Sequence, residues 1–281
     1  MNIKFYCITR WQSTPSTSLL KEACKKKEIQ FVTIDPKNFC FSDHIKDIDA
    51  PKILYRVTKS EKATTIEKYL TGKNTINFYK EQLKIYQHLG QTLVLQRANV
   101  PIPKTIFGFS LDKMILEKEI KYLGGFPIIL KTMGQSHGVG VIKIESFATL
   151  LPLLDFMNQK NHQTFLREYI NTNRSARLIV LGNKVIDSIE YIAKKDDFRS
   201  NAGSEPIVNK RIFSKNIEET AIKAVKALGW DFGGVDILID QKQKLYVTEV
   251  NLPCNFSRSQ LITKTDIAGK MLDYLIKKMK K

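Results

Sequence analysis

Cysteine is scarce in this 281-residue chain, and Cys7, Cys24, Cys40 and Cys254 are scattered with no CxxC pair. Such spacing argues against a zinc site or a disulfide framework and suits reduced thiols in a cytoplasm. Long apolar runs are missing too: none approaches the ~20 residues that a bilayer-spanning helix needs. The N-terminal residues carry no signal-peptide pattern, so a cytoplasmic protein with no membrane partner is expected. The few histidines, His44, His88, His137 and His162, fall at no metal-ligand spacing. Neither the Gly-Lys-Ser/Thr ending of a P-loop nor the dinucleotide glycine fingerprint occurs. Helix-turn-helix, zinc-finger and aromatic RNA-binding motifs are absent, as are internal repeats and low-complexity segments.

Acidic residues are outnumbered, 28 against 45 lysines and arginines, giving a formal net charge of +17. A surplus of this size draws polyanions, whether nucleic acid, acidic proteins and peptides, or nucleotide phosphates. The lysines are spread along the chain, with short clusters only at 25–27 and 277–281. A solvated lysine-rich surface and an acidic partner both fit that spread, while nucleic acid rests on charge alone. With 43% hydrophobic and 10% aromatic residues, the chain can build large cores and more than one compact unit.

Strand-type runs at 2–9 and 29–34 flank SLLKEACKKKE, where Leu19, Leu20, Ala23 and Cys24 share one helical stripe. Strand, helix, strand implies a βαβ start and a parallel sheet. Residues 52–58 read as another strand and 78–98 as a helix, with Pro101 and Pro103 then marking a boundary. Strands follow at 126–131, 141–144 and 164–170, with a helix from Ser146 to Asn158 between the last two. Residues 176–193 read as a hairpin turning at Gly182-Asn183. The segment 216–229 is a helix, with Asn216 and Glu219 at capping-box spacing and Gly229 as its stop. A last helix starts near Asp266, with Ile267, Met271, Leu275 and Met279 on one face.

Two places carry chemistry. GGVDILID and KLYVTEVN, joined by Gln241-Lys242-Gln243, read as a hairpin. Alternation along a strand puts Glu249 and Asn251 on one side, where Asp236 of the partner strand could face them. Three hard oxygen ligands would suit Mg2+ held partly by a substrate's phosphates; the same alternation also describes a solvated sheet face. The second place is PIILKTMGQSHGVGV. Lys131 ends a strand within reach of a phosphate, and Gly134, Gly138 and Gly140 would let backbone N–H groups approach phosphate oxygens. Glycines between strands also simply make turns.

The order of these pieces is more specific than any one of them. A strand with Lys131, a glycine loop, REYI, Asp197-Phe198-Arg199-Ser200-Asn201, GVDIL at 234–238 and Glu249-Val250-Asn251 succeed one another over half the chain. That succession resembles the ATP-grasp carboxylate–amine ligases, in particular the RimK-like branch that adds glutamate to acidic protein or peptide termini. The resemblance implies an α/β ATP-grasp fold behind an N-terminal Rossmann-like βαβ domain. Its units would be 1–98, a central lobe at 99–165 and a C-terminal lobe at 166–281. It also implies ATP and Mg2+ (or Mn2+), an acidic peptide, protein tail or amino acid as substrate, and assembly into homo-oligomers.

By that resemblance, Lys131 contacts ATP phosphates and the 134–140 loop folds over them. Glu168, Tyr169 and Ile170 form the hinge beside adenine, and Asp236, Glu249 and Asn251 hold the metal. Arg177, Arg199 and Asn201 match catalytic positions near the γ-phosphate and the acceptor carboxylate. There are departures. His88 stands where many relatives carry a first phosphate-binding lysine, with Lys84 one turn earlier. Pro253-Cys254 replaces a Pro-Gly pair, and Ser175 replaces an aspartate. These leave two rival expectations, a nucleotide-binding module without catalysis and a basic nucleic-acid-binding protein.

Overall fold

The computed structural model describes residues 3–10, 14–43, 49–80, 88–133, 139–160, 162–194, 198–199 and 206–280. The N-terminal part runs β1 (Lys4–Ile8), α1 (Pro15–Lys26), β2 (Gln30–Ile34), β3 (Lys52–Arg56), α2 (Glu61–Leu70) and β4 (Thr75–Ile76). Its strands form one parallel sheet in the order β2-β1-β3-β4. Thr14 caps α1 by accepting a hydrogen bond from the Thr17 amide at 3.1 Å, and Pro15 occupies the first turn, where its missing N–H costs nothing. Helix α2, which the sequence reading left unassigned, is capped by Ser60 and buries Ala63, Ile66 and Leu70.

Of the expected 78–98 helix, α3 covers His88–Arg97, and 81–87 lie outside the described residues. Phe78 and Tyr79 are not helical. Tyr79 forms an isolated bridge with Trp230, and the Phe78 ring lies 4.9 Å from that of Phe232. Burying two large rings between sheets outweighs extending the helix over them.

The central part follows as β5 (Thr105–Phe107), α4 (Lys113–Leu123), β6 (Ile128–Thr132), β7 (Val141–Ile144), α5 (Phe147–Gln159) and β8 (Thr164–Glu168). Its sheet is antiparallel, in the order β5-β8-β6-β7. Ile128 and Leu130 of β6 pack with Leu116, Ile120 and Leu150 of the two helices. Alternation therefore turns Lys131 to the sheet's other face.

The C-terminal part comprises β9 (Arg174–Leu181), β10 (Lys184–Ile192), β11 (Ile207–Lys210), α6 (Lys215–Ala227), β12 (Phe232–Ile239), β13 (Leu245–Asn251), α7 (Ser257–Thr263) and α8 (Ile267–Met279). The five strands pair antiparallel in the order β11-β10-β9-β12-β13. The β9–β10 turn is Gly182-Asn183, as expected, with Gly182 at φ 61°. The capping box expected at Asn216 and Glu219 does not form. The helix starts two residues earlier, with Ser214 rather than Asn216 at the cap position, so Glu219 pairs with Lys215 at 3.7 Å and the Asn216 carbonyl accepts from Thr220.

One face of this sheet, with Ala176, Leu178, Val180, Val235 and Ile237, is covered by Ala221, Ala224 and Val225 of α6. On the other face, Ile179, Leu181 and Phe232 join a core that also holds Phe5, Leu20 and Ile53 of the N-terminal part and Ile267, Met271 and Leu275 of α8.

Candidate active site

Strand register brings the predicted residues together. Asp236 on β12 lies opposite Arg177 on β9 and opposite Glu249 on β13, while Asn251 lies opposite Gly234. These four side chains share the face not covered by α6. A bulge follows at once: Asp236 pairs with Glu249 but Ile237 pairs with Val247, so Thr248 is the extra residue. Its hydroxyl donates to the Asp236 carbonyl at 3.2 Å. Were Thr248 paired regularly instead of bulged, strict alternation from Leu245 and Val247 would carry Glu249 to the helix-covered face.

Asp236 is only 3% exposed. Arg177 grips it with two parallel bonds, Nε to Oδ1 and Nη2 to Oδ2, both 2.7 Å long. The Arg177 guanidinium also lies 5.7 Å from the Tyr191 ring, on whose surroundings Arg258 encroaches at 5.6 Å. Asn251 reaches Asp236 through Nδ2 at 3.4 Å, and its Oδ1 accepts a bond from Lys59 Nζ at 2.5 Å.

Two cations approach from the central sheet. Burial pulls the Lys131 ammonium below the ordinary lysine range, Glu249 and Asp236 draw it back up, and Arg167 adds to the fall. The Lys131 ammonium lies 5.8 Å from the Phe165 ring. Burial likewise holds Arg167 down to about 10, against the pull of Glu249 and Glu168, which leaves it cationic at neutral pH. Arg167 donates to Thr105 Oγ1 at 3.1 Å and to the Thr248 carbonyl, in the bulge, at 3.3 Å. The sequence reading missed this residue. Its signal was alternation: Phe165 and Arg167 share the face of Lys131, since Lys131 pairs with Phe165 and Ile129 with Arg167.

The segment expected to be the hinge connects β8 to β9 and so joins the two sheets. The Glu168 carboxylate accepts from the Lys104 amide at 2.8 Å, and the Glu168 amide donates to the Lys104 carbonyl at 3.0 Å. The Tyr169 ring lies 4.8 Å from the Lys143 ammonium and Ile170 is buried. Thr172 Oγ1 donates to the Ile239 carbonyl at 2.8 Å. Gly140 closes the glycine loop at φ 72°, and a Cβ there would sit 1.8 Å from Thr132 Oγ1, so no other residue fits. Arg199 is half-buried. Gly134, Gly138, Asn201 and Lys84 lie outside the described residues, as does the His88 side chain, whose backbone opens α3.

Beyond Asn251 the chain turns through Cys254, whose amide donates to Tyr55 Oη at 3.3 Å. Burial pushes the Cys254 thiol up to about 11, opposed by the nearby charges of Arg177 and Lys59. Asn255 then accepts from Ser16 of α1 at 3.3 Å and from Ser257 at 2.8 Å. Lys59 is a second residue the sequence reading missed, because it comes from the N-terminal sheet.

Two carboxylates and an amide on one strand pair offer only oxygen donors, the preference of a hard divalent cation sharing its shell with phosphate. Among the described residues no cluster of three or more His, Cys, Asp or Glu offers a competing metal site. The residues present fit Mg2+.

Residues 87–275, well over half of the chain, match the profile of the RimK-like ATP-grasp domain. The chain is 26% identical over 298 residues to a probable alpha-L-glutamate ligase of Haemophilus influenzae, with 97% of each covered. It is 29% identical over 231 residues to the ribosomal protein bS6–L-glutamate ligase of Salmonella paratyphi B, covering 82% of this chain and 76% of that one. In fold it is similar to the ATP-grasp ligase PsnB, solved with a minimal precursor, Mg and ADP. That match has a TM-score of 0.74 at 14% identity, over 99% of this chain and 98% of the other. No described helix is long and apolar enough to cross a membrane. The three-sheet α/β architecture, the row of carboxylates facing cations and the profile match agree: this chain belongs to the RimK-like ATP-grasp family and is a carboxylate–amine ligase.

Proposed function

We propose that the protein joins the amine of L-glutamate to a carboxylate of an acidic peptide, protein tail or amino acid, with ATP as phosphoryl donor. The observation that carries this reading is the convergence of Asp236, Glu249 and Asn251 on one strand face with Lys131 of the opposite sheet. The glutamate-ligase names of the relatives support the amine. The net charge of +17 supports an acidic acceptor, because a positive field steers anions toward it.

Asp236, Glu249 and Asn251 would hold Mg2+, and Mn2+ would suit the same oxygens. The ion supplies positive charge to the triphosphate oxygens. Lys131 holds a phosphate as a point charge, and the backbone around Gly134, Gly138 and Gly140 offers N–H groups to the others. His88 or Lys84 would take the place of the usual first lysine, and a neutral imidazole would bind phosphates less strongly than an ammonium. Glu168 is fixed on the Lys104 backbone, and the main chain of Tyr169 and the Ile170 amide would meet adenine, the Ile170 carbonyl already accepting from the Thr172 amide at 2.9 Å. Arg177, Arg199 and Asn201 neutralise charge as phosphoryl moves.

The acceptor carboxylate attacks the γ-phosphorus and ADP leaves. The amine then attacks the acyl carbon, phosphate departs and the nitrogen gives up its proton. Positioning and fixed charge account for the acceleration. The clamp would be built from units 1–98, 99–165 and 166–281, with ATP between the latter two.

The test is ADP release from ATP and Mg2+ with L-glutamate and a peptide ending in glutamate, with the peptide mass followed in parallel. The expected result is a gain of glutamyl residues that Glu249→Gln abolishes. ADP release unchanged in Glu249→Gln would sink the assignment of the metal site.

A further inference from the structure

Lys59 lies in the short connection from β3 to α2, far in sequence from everything else at the site. Its neighbours are pinned. The buried Arg56 guanidinium bonds Glu67 at 2.7 Å and also donates to the Thr58 carbonyl at 3.1 Å. The Arg10 amide donates to the Thr58 hydroxyl at 2.8 Å, tying the loop after β1 to the loop after β3. Ser60 is committed to capping α2. Lys59 is thus the one residue of this segment that reaches across to Asn251.

The position has chemical meaning. β1 and β3 are adjacent and the chain leaves them in opposite directions, β1 toward β2 and β3 toward β4, and in open parallel sheets ligands gather outside the carboxyl ends of strands at such a point. The loops carrying Arg10 and Lys59 are those carboxyl ends. They face the turn from Asn251 to Asn255, which Ser16 of α1 also touches. The cations of the site therefore divide. Lys131 and Arg167 come from the central sheet on the Glu249 side, where a nucleotide would be clamped. Lys59 comes from the N-terminal sheet on the Asn251 side. An exposed lysine–amide bond adds little stability, so packing does not account for a braced loop that presents it. An ammonium has three protons to donate, and the Asn251 carbonyl takes one.

We propose that Lys59 is a specificity-determining residue that binds a non-reacting carboxylate of the substrate, on the side of the site opposite the nucleotide. This rests on the carboxylate–amine reading above. The carboxylate belongs either to glutamate or to the acidic acceptor, and the two sources are separable by their kinetics.

The experiment measures ADP release by the wild-type protein, Lys59→Met and Lys59→Arg while varying ATP, Mg2+, L-glutamate and a glutamate-terminated peptide in turn. Lys59→Met should raise the KM for glutamate or for the peptide about tenfold or more, as expected for a lost charge-assisted hydrogen bond. Whichever KM moves identifies the source. The KM for ATP and the Mg2+ requirement should stay unchanged, and Lys59→Arg should recover most of the loss. A rise confined to ATP or Mg2+, or a fall in kcat with every KM intact, overturns the inference by making Lys59 a phosphate contact or a support for Asn251. Absence of ADP release by the wild type with these substrates overturns the substrate reading and this inference together.

Discussion

The fork between Arg177 and Asp236 shows how a carboxylate with almost no water contact is tolerated. Both of its oxygens receive strong donors, and a buried charge so paired avoids the large penalty of standing alone. Lys131 is the opposite case, since its burial is only partly compensated. An ammonium disfavoured by burial loses its proton at lower pH than a free lysine, so the alkaline limb of kcat/KM for ATP should begin below the ordinary lysine range. Lys131→Arg should move that limb upward, because a guanidinium keeps its proton. The same shift has a consequence for folding. Between the lowered native value and the ordinary unfolded one, the unfolded chain binds more protons, so this residue's contribution to stability rises with pH across that window. A pH series of ATP kinetics on the two proteins is the check, and coincident limbs would exclude Lys131 as the titrating group.

At the level of elements, the site depends on β12 lying close to the turn that follows β13. A Cβ added to Gly234 would meet Cys254 Sγ at 2.4 Å. Gly234→Ala should therefore cost about 1–3 kcal/mol, the usual price of overpacking. Adding Cys254→Ala removes the obstructing sulfur, so the double variant should be more stable than the sum of the single effects predicts. Urea denaturation of the four proteins closes that cycle, and strict additivity would show that the sulfur is not the obstacle.

The shared side of Glu249 and Asn251 was legible in the sequence because it needs only two-residue alternation, whereas the bulge at Thr248 that sets Asp236 against Glu249 leaves no such mark. Arg167 was overlooked although its alternation with Phe165 marked the face of Lys131, and Lys59 was not legible, because it arrives from the N-terminal part and no local pattern records that meeting. Helices α2 and α4 also went unread. In KMILEKEIKYL the charged residues sit among Leu116, Ile120 and Leu123, so the buried stripe is hard to separate from its exposed neighbours.

For the whole molecule, charge sets how the substrate arrives. A protein at +17 should lose kcat/KM for an acidic peptide as salt rises, while a neutral peptide of the same length should be nearly indifferent. Parallel titrations with sodium chloride decide this, and equal slopes would place recognition in the cleft alone. The core shared by β1, α1, β3, β12 and α8 carries a different implication, one for synthesis. The first sheet leaves the ribosome early, but the apolar surface it shares with Phe232, Ile267 and Leu275 is covered only when the last helix has followed. During translation that surface waits, open to holding chaperones or to a neighbouring nascent chain, while the central sheet, whose core of Leu116, Ile128 and Leu166 is its own, need not wait for it.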